Sequence, residues 1–215
     1  MATTGLDVLD HRVRPAAGEP EGALILLHGR GADEHDLHPL LDLLDPKRRL
    51  VGYTPGGPLS LPPGGRHWYA VPRVGFPDPD TFFASLERLE AFVEATGVPP
   101  EKIVLGGFSQ GTAMSYALSL RAGRPSPAAL VALSGFIPTV PGFEVDLESR
   151  AGLPVAIGHG TQDPVIPVEF ARDAHERLEA AGADVTYHES PIGHTIDPRF
   201  LALIPDVVSR ATGGL

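Results

Sequence analysis

The stretch from Lys102 to Leu120 constrains the fold of this chain more than any other. Lys102-Ile103-Val104-Leu105-Gly106 reads as a short buried strand and Thr112 to Leu120 as a helix, with Gly107-Phe108-Ser109-Gln110-Gly111 between them. That pentapeptide fits the Gly-x-Ser-x-Gly pattern of a nucleophile elbow, a sharp strand-to-helix turn. A serine at such a turn is held in a strained backbone conformation that lifts its hydroxyl clear of the sheet. Glycine flanks it because a side chain at 107 or 111 would collide with the neighbouring strand and helix. Alone the pattern is weak, since glycine-rich loops containing serine are common.

Two partners lie downstream. Asp163 stands in Gly160-Thr161-Gln162-Asp163-Pro164, just past the apolar run Leu153-Pro154-Val155-Ala156-Ile157. His194 stands in Pro191-Ile192-Gly193-His194-Thr195, just past Asp184-Val185-Thr186-Tyr187. Both fall on loops at carboxyl ends of strands, where an open parallel sheet gathers its functional groups. In isolation Asp163 also reads as a turn residue before proline, and His194 as a loop histidine near a helix start. Together, Ser, then Asp, then His is the chain order of the α/β-hydrolases. A fourth element, Leu27-His28-Gly29-Arg30-Gly31-Ala32-Asp33, follows the apolar run Ala23 to Leu27. In α/β-hydrolases this loop supplies one backbone N–H of the oxyanion hole and the residue after the nucleophile the other, which here means Arg30 and Gln110. The Gln110 N–H also opens a helix, whose dipole favours developing negative charge. His28 reads as a packed residue that holds the loop.

With these motifs the chain resembles the phospholipase/carboxylesterase family of small α/β-hydrolases, which includes acyl-protein thioesterases and many bacterial carboxylesterases. The resemblance runs from about Ala23 to Val208 and also draws on His67-Trp68-Tyr69 and Gly158-His159-Gly160. It implies a serine esterase with Ser109, Asp163 and His194 as triad and Arg30 and Gln110 at the oxyanion hole. The thioesterase branch carries an aliphatic residue where this chain has Arg30, which points away from long-chain lipid substrates.

Composition narrows the classes. A chain of 215 residues is expected to form one domain with a core of its own, spanning 1–215. There is no cysteine, so neither a disulfide nor a thiolate nucleophile is available. Met1 to Pro15 has no apolar signal-peptide core, and no run approaches the length of a membrane span, so a cytoplasmic protein is expected. The net charge of −10 and the lack of a basic cluster beyond Lys47-Arg48-Arg49 speak against nucleic acid as a partner. That triplet reads as a solvated turn. A homodimer is left open. Asparagine is absent, and 23 prolines and 25 glycines are present. This bias fits thermostability and a GC-rich genome equally.

Apolar runs near 23–27, 50–53, 103–105, 129–133, 153–157 and 184–187 read as strands without strict alternation, as in a sheet covered on both faces. Helical patterns lie between them. Asp80 is the expected N-cap of a helix with Phe82, Leu86, Leu89 and Val93 on one face, ended by Gly97. Pro167 is expected at the first position of another helix, bearing Ala171, Ala174, Leu178 and Ala181, which Gly182 closes. Pro205 should kink or divide a last helix that starts at Asp197-Pro198. The expected fold is therefore α/β: an α/β-hydrolase fold, a doubly wound, mostly parallel sheet with helices on both faces and no separate cap domain.

From Tyr53 to Asp80 there is no regular pattern but many prolines and the only tryptophan. Long loops in compact domains usually carry function. Trp68 therefore reads either as an apolar wall of a substrate cleft or as a pin between loop and core, and Trp68 and Val165 are the expected substrate-binding residues. His35 and His38 lack the spacing of a metallohydrolase helix and read as a solvated helix start. His159 reads as structural. Neither metal nor cofactor is expected. The function expected is hydrolysis of short- to medium-chain carboxylic esters, small-molecule substrates, through an acyl-enzyme. The alternatives are a thioesterase or lysophospholipase acting on longer chains, and a non-catalytic binding protein on the same scaffold.

Overall fold

The six apolar runs become six mutually parallel strands, the inner ones buried from both sides as their lack of polar alternation demands and the last partly exposed at the sheet edge. In chain order the strands are β1 (His11–Arg14), β2 (Ala23–Leu27), β3 (Val51–Pro55), β4 (Leu59–Ser60), β5 (Arg66–His67), β6 (Ile103–Phe108), β7 (Ala129–Leu133), β8 (Pro154–Gly160) and β9 (Asp184–Ser190). The computed structural model describes residues 9–211 and Gly213. Residues 1–8, which hold half of the stretch searched for a signal peptide, lie outside the described residues, as does most of the extreme carboxyl end. Among the described residues, seven strands form one sheet in the order β1-β3-β2-β6-β7-β8-β9.

β1 is the strand that the sequence hid. It pairs antiparallel with β3 at the sheet edge, and its His11-Arg12-Val13-Arg14 has no apolar run. The side chain it buries is Arg14, whose guanidinium donates to Asp45 Oδ2 at 2.7 Å and to the Leu50 carbonyl at 2.8 Å. The irregular stretch is also more ordered than expected, since β4 and β5 form a small antiparallel hairpin within it.

Alternating side chains send the two faces of each strand into separate cores. Ala23, Ile25, Leu27, Ile103 and Leu105 pack in one core, covered by α2 (Pro79–Ala95), α3 (Gln110–Leu120) and α4 (Glu169–Ala180). Leu24, Leu26, Val104, Val131 and Ala156 pack in the other, against α1 (Leu40–Leu44), α5 (Pro198–Leu201) and α6 (Ile204–Ala211). Helices thus cover both faces of a mostly parallel sheet.

Two helix boundaries differ from expectation in detail. The N-cap of α2 is Asp78, not Asp80: its carboxylate accepts the Thr81 N–H at 3.0 Å, and Pro79, lacking an N–H, takes the first helical position. Pro167 stands two residues ahead of α4 and opens the turn into it, its carbonyl accepting the Phe170 N–H at 3.1 Å. As expected, the last helical segment is divided, into α5 and α6, with Pro205 in the first turn of α6, where its missing N–H costs nothing. Among the described residues no helix is long and apolar enough to cross a membrane.

Candidate active site

β6 ends at Phe108, and α3 starts at Gln110, so Ser109 alone makes the turn. Its backbone sits at φ 56° and ψ −118°, a conformation that side-chain-bearing residues rarely adopt. The surroundings hold it there. The Ser109 N–H donates to the Leu133 carbonyl at 2.9 Å. One turn on, the Thr112 hydroxyl bridges the carbonyls of Gly107 and Leu133, each at 2.7 Å. A methyl group on Gly107 would lie 2.5 Å from the Gly111 carbonyl carbon, and one on Gly111 would run into the Leu27 carbonyl. Strand and helix therefore approach closely only because both positions are glycine.

The loops after β8 and β9 bring the two partners to this serine. His194 Nδ1–H donates to Asp163 Oδ2 at 2.6 Å, which leaves Nε2 to accept from the Ser109 hydroxyl at 2.8 Å. The Asp163 side chain is fully buried. Its other oxygen, Oδ1, accepts the N–H groups of Val165 at 2.8 Å and Ile166 at 2.9 Å. Burial pushes the Asp163 pKa up, but hydrogen bonds from His194 and the Ile166 and Val165 amides outweigh it and hold the carboxyl below its ordinary range. The carboxylate thus stays ionised and fixes the imidazole tautomer. His159, buried behind it, donates from Nε2 to the Ile166 carbonyl at 2.8 Å, and burial drives its pKa down, so it is a neutral support. The Phe108 ring lies against the His194 ring with centroids 4.8 Å apart.

Arg30, in the loop after β2, and Gln110, at the start of α3, line the same cleft as Ser109. Among the described residues neither backbone N–H has an acceptor. The Gln110 N–H stands in the first turn of α3, where free donors and the helix dipole favour an anion. His28 stiffens the Arg30 loop from beneath, with Nε2 accepting the Gly57 N–H at 2.9 Å, and burial pushes its pKa down, which keeps it neutral.

A cleft of about 380 Å³ opens over Ser109. Its apolar walls are Tyr69, Val71, Val74, Phe136, Val165 and Ile166. Val165, expected at the substrate, lines it and is half exposed. Trp68 does not line it and corrects the expectation of an indole wall: the ring is 0% exposed and its Nε1–H donates to the His28 carbonyl at 2.9 Å. An indole is large enough to fill the gap beneath the loop only if its N–H finds a partner, which the His28 carbonyl supplies. The neighbouring Tyr69 takes the place at the cleft.

Sequence reasoning missed what orders this loop. The Gln110 side chain accepts the Trp68 N–H on Oε1 and donates from Nε2 to the Tyr69 carbonyl, both at 2.7 Å. One residue thereby offers a backbone donor at the serine and a side-chain clamp on the cleft wall. A buried amide in the first helical turn was the only signal available. Among the described residues no group of three or more metal-ligating side chains gathers. His35 is exposed beside Glu34, and His38 contacts the Thr54 hydroxyl at 3.4 Å.

Residues 9–211 match the family described as Phospholipase/Carboxylesterase. The chain belongs to this family. Among curated phospholipase/carboxylesterase relatives, it is 28% identical to acyl-protein thioesterase 1 of Debaryomyces hansenii over 93% of this chain and 97% of that protein. It is 31% identical to acyl-protein thioesterase 1 of Candida albicans over 78% and 82% of the two chains. The crystal structure of the Bacillus cereus carboxylesterase superimposes with a TM-score of 0.80 at 23% identity, covering 94% of each chain, and so shares the fold. A phospholipase/carboxylesterase family member with such relatives is a carboxylic ester hydrolase.

Proposed function

We propose that this hydrolase is a serine carboxylesterase acting as one domain on small carboxylic esters of short to medium acyl chain. The observation that carries the reading is the unbroken path Ser109–His194–Asp163, hydrogen-bonded at 2.8 and 2.6 Å. In the first half-reaction Ser109 Oγ attacks the ester carbonyl while His194 Nε2 takes its proton, and Asp163 stabilises the imidazolium. The N–H groups of Arg30 and Gln110 receive the oxyanion. As the tetrahedral adduct collapses, His194 returns the proton to the leaving alkoxide, the C–O bond breaks and the alcohol departs. Water then attacks the acyl-enzyme with His194 again as base, which releases the acid and restores Ser109.

The chain-length preference rests on the cleft, which is open to solvent and carries Arg30. Each methylene buried contributes about 0.8 kcal/mol, so a long closed tunnel would make specificity rise steadily with chain length, whereas an open cleft stops rewarding length early. A second reading, thioesterase action on longer chains, draws on the names of the two fungal relatives.

A panel of p-nitrophenyl esters from acetate to palmitate, beside one acyl-thioester and one lysophospholipid, separates the readings. The expected maximum lies between butyrate and octanoate. A continuous rise through palmitate selects the longer-chain reading. Ser109→Ala should lower turnover by about 10⁶ and abolish labelling by a fluorophosphonate.

A further inference from the structure

The chemistry just described uses only the backbone of Arg30. Its side chain is the only charge among the residues that line the cleft. The residue is exposed, and among the described residues its guanidinium has neither an ion-pair nor a hydrogen-bond partner. Two carboxylates close in sequence, Asp33 and Glu34, have contacts of their own. Asp33 Oδ1 accepts the His35 N–H at 2.9 Å, and Glu34 faces Arg66 Nε at 3.7 Å. In a chain of net charge −10, several other arginines are paired: Arg14 with Asp45, Arg121 with Glu90 and Arg172 with Glu189. The carboxylate of the catalytic path is fully buried against His194 and turns no charge toward the cleft.

We propose that the Arg30 guanidinium receives an anionic group on the non-reacting part of the substrate, so that the preferred esters carry a carboxylate on their acyl chain. This rests on the reading of Ser109 as nucleophile and of the Arg30 N–H as oxyanion donor. Because that N–H meets the reacting carbonyl oxygen, the side chain starts beside the scissile bond, and an extended stem carries the guanidinium roughly 6 Å from its Cα. A carboxylate about three or four methylenes from the carbonyl spans the same distance. The methylenes between them have Val71, Val74 and Phe136 to rest on. The planar, permanently charged fork pairs with a carboxylate through two parallel hydrogen bonds. An uncharged chain of equal length places a methyl group against that fork and gains nothing.

The test compares mono-p-nitrophenyl adipate with p-nitrophenyl hexanoate, equal in carbon number and leaving group. The quantity read is the ratio of their kcat/KM values, so a loss common to both substrates does not enter. Arg30→Ala should lower the adipate-to-hexanoate ratio about tenfold, Arg30→Glu should lower it further, and Arg30→Lys should keep most of it. About 0.5 M NaCl should lower the ratio in the unaltered enzyme and leave that of Arg30→Ala where it is, because salt screens only the exposed charge pair. A ratio that moves less than about twofold with Arg30→Ala and with salt overturns the proposal and leaves the esterase reading standing. Failure to hydrolyse either ester, or hydrolysis that survives Ser109→Ala, rejects the reading beneath it and the proposal together.

Discussion

Replacing Gln110 by alanine separates the two roles given to that residue. The backbone N–H beside Ser109 survives the change, whereas both side-chain hydrogen bonds to the loop are lost. Gln110 is 4% exposed, and its bonds to the Trp68 N–H and the Tyr69 carbonyl are each 2.7 Å long. Alanine therefore orphans one buried donor and one buried acceptor, at about 1–3 kcal/mol each. Because the vacated space adjoins the cleft, water can reach it, and the lower part of that range applies, about 2–3 kcal/mol in total. For a chain of this size Tm moves by about 2–4 °C per kcal/mol, so a fall of about 8 °C is expected. Trp68 reports on the same event as the only tryptophan, fully buried in the native state. Its emission should shift to the red in Gln110→Ala, and kcat/KM should drop as Tyr69 loses its place, while fluorophosphonate still labels Ser109. Gln110→Glu keeps an acceptor for Trp68 but sets a carboxylate oxygen against the Tyr69 carbonyl, and should be at least as damaging at neutral pH. Both variants melting within about 2 °C of the parent, with unshifted emission, would refute the clamp.

Two further outcomes follow from the same geometry. Asp163→Asn should stay folded, because an amide oxygen can still accept the Val165 and Ile166 N–H groups. It should lower turnover by about 10⁴, since the amide nitrogen facing His194 Nδ1 favours the wrong tautomer. Steady-state rates with a short ester check this, and near-parental activity would mean that another group orients His194. Glu189 concerns stability: hydrogen bonds from Arg172 and Tyr187 hold its pKa at about 2, against an ordinary 4.5. A depressed carboxyl pKa stabilises the fold above 4.5, and the gain is lost as pH falls from there toward 2. Glu189→Gln should therefore cost about 1 kcal/mol at neutral pH after solvent screening. Denaturant melts repeated near pH 3 should show that gap closing, and a gap independent of pH would exclude the ion pair as its source.

The sequence by itself determined the elements whose signals are local. Five strands, β2, β3, β6, β7 and β8, were legible because a parallel strand covered on both faces is apolar at most positions, and the edge strand β9 because of its shorter run Val185 to Tyr187. The elbow was legible because its strain and close packing admit glycine at 107 and 111 and little else. The positions of Asp163 and His194 followed from strand ends, since a parallel sheet delivers every such loop to one edge. The tertiary structure decided what depends on partners distant in the chain. β1 is held by pairing with β3 and by a buried arginine, neither of which leaves an apolar pattern. Trp68 and Tyr69 are adjacent aromatics with the same propensities, and both are buried; only the tertiary structure decides that Tyr69 borders the cleft while Trp68 packs beneath the loop with its Nε1–H on the His28 carbonyl. Charge divides in the same way. Composition gives the chain its net −10, but which arginine remains unpaired at the mouth of the cleft depends on where each carboxylate has already been spent in the folded chain.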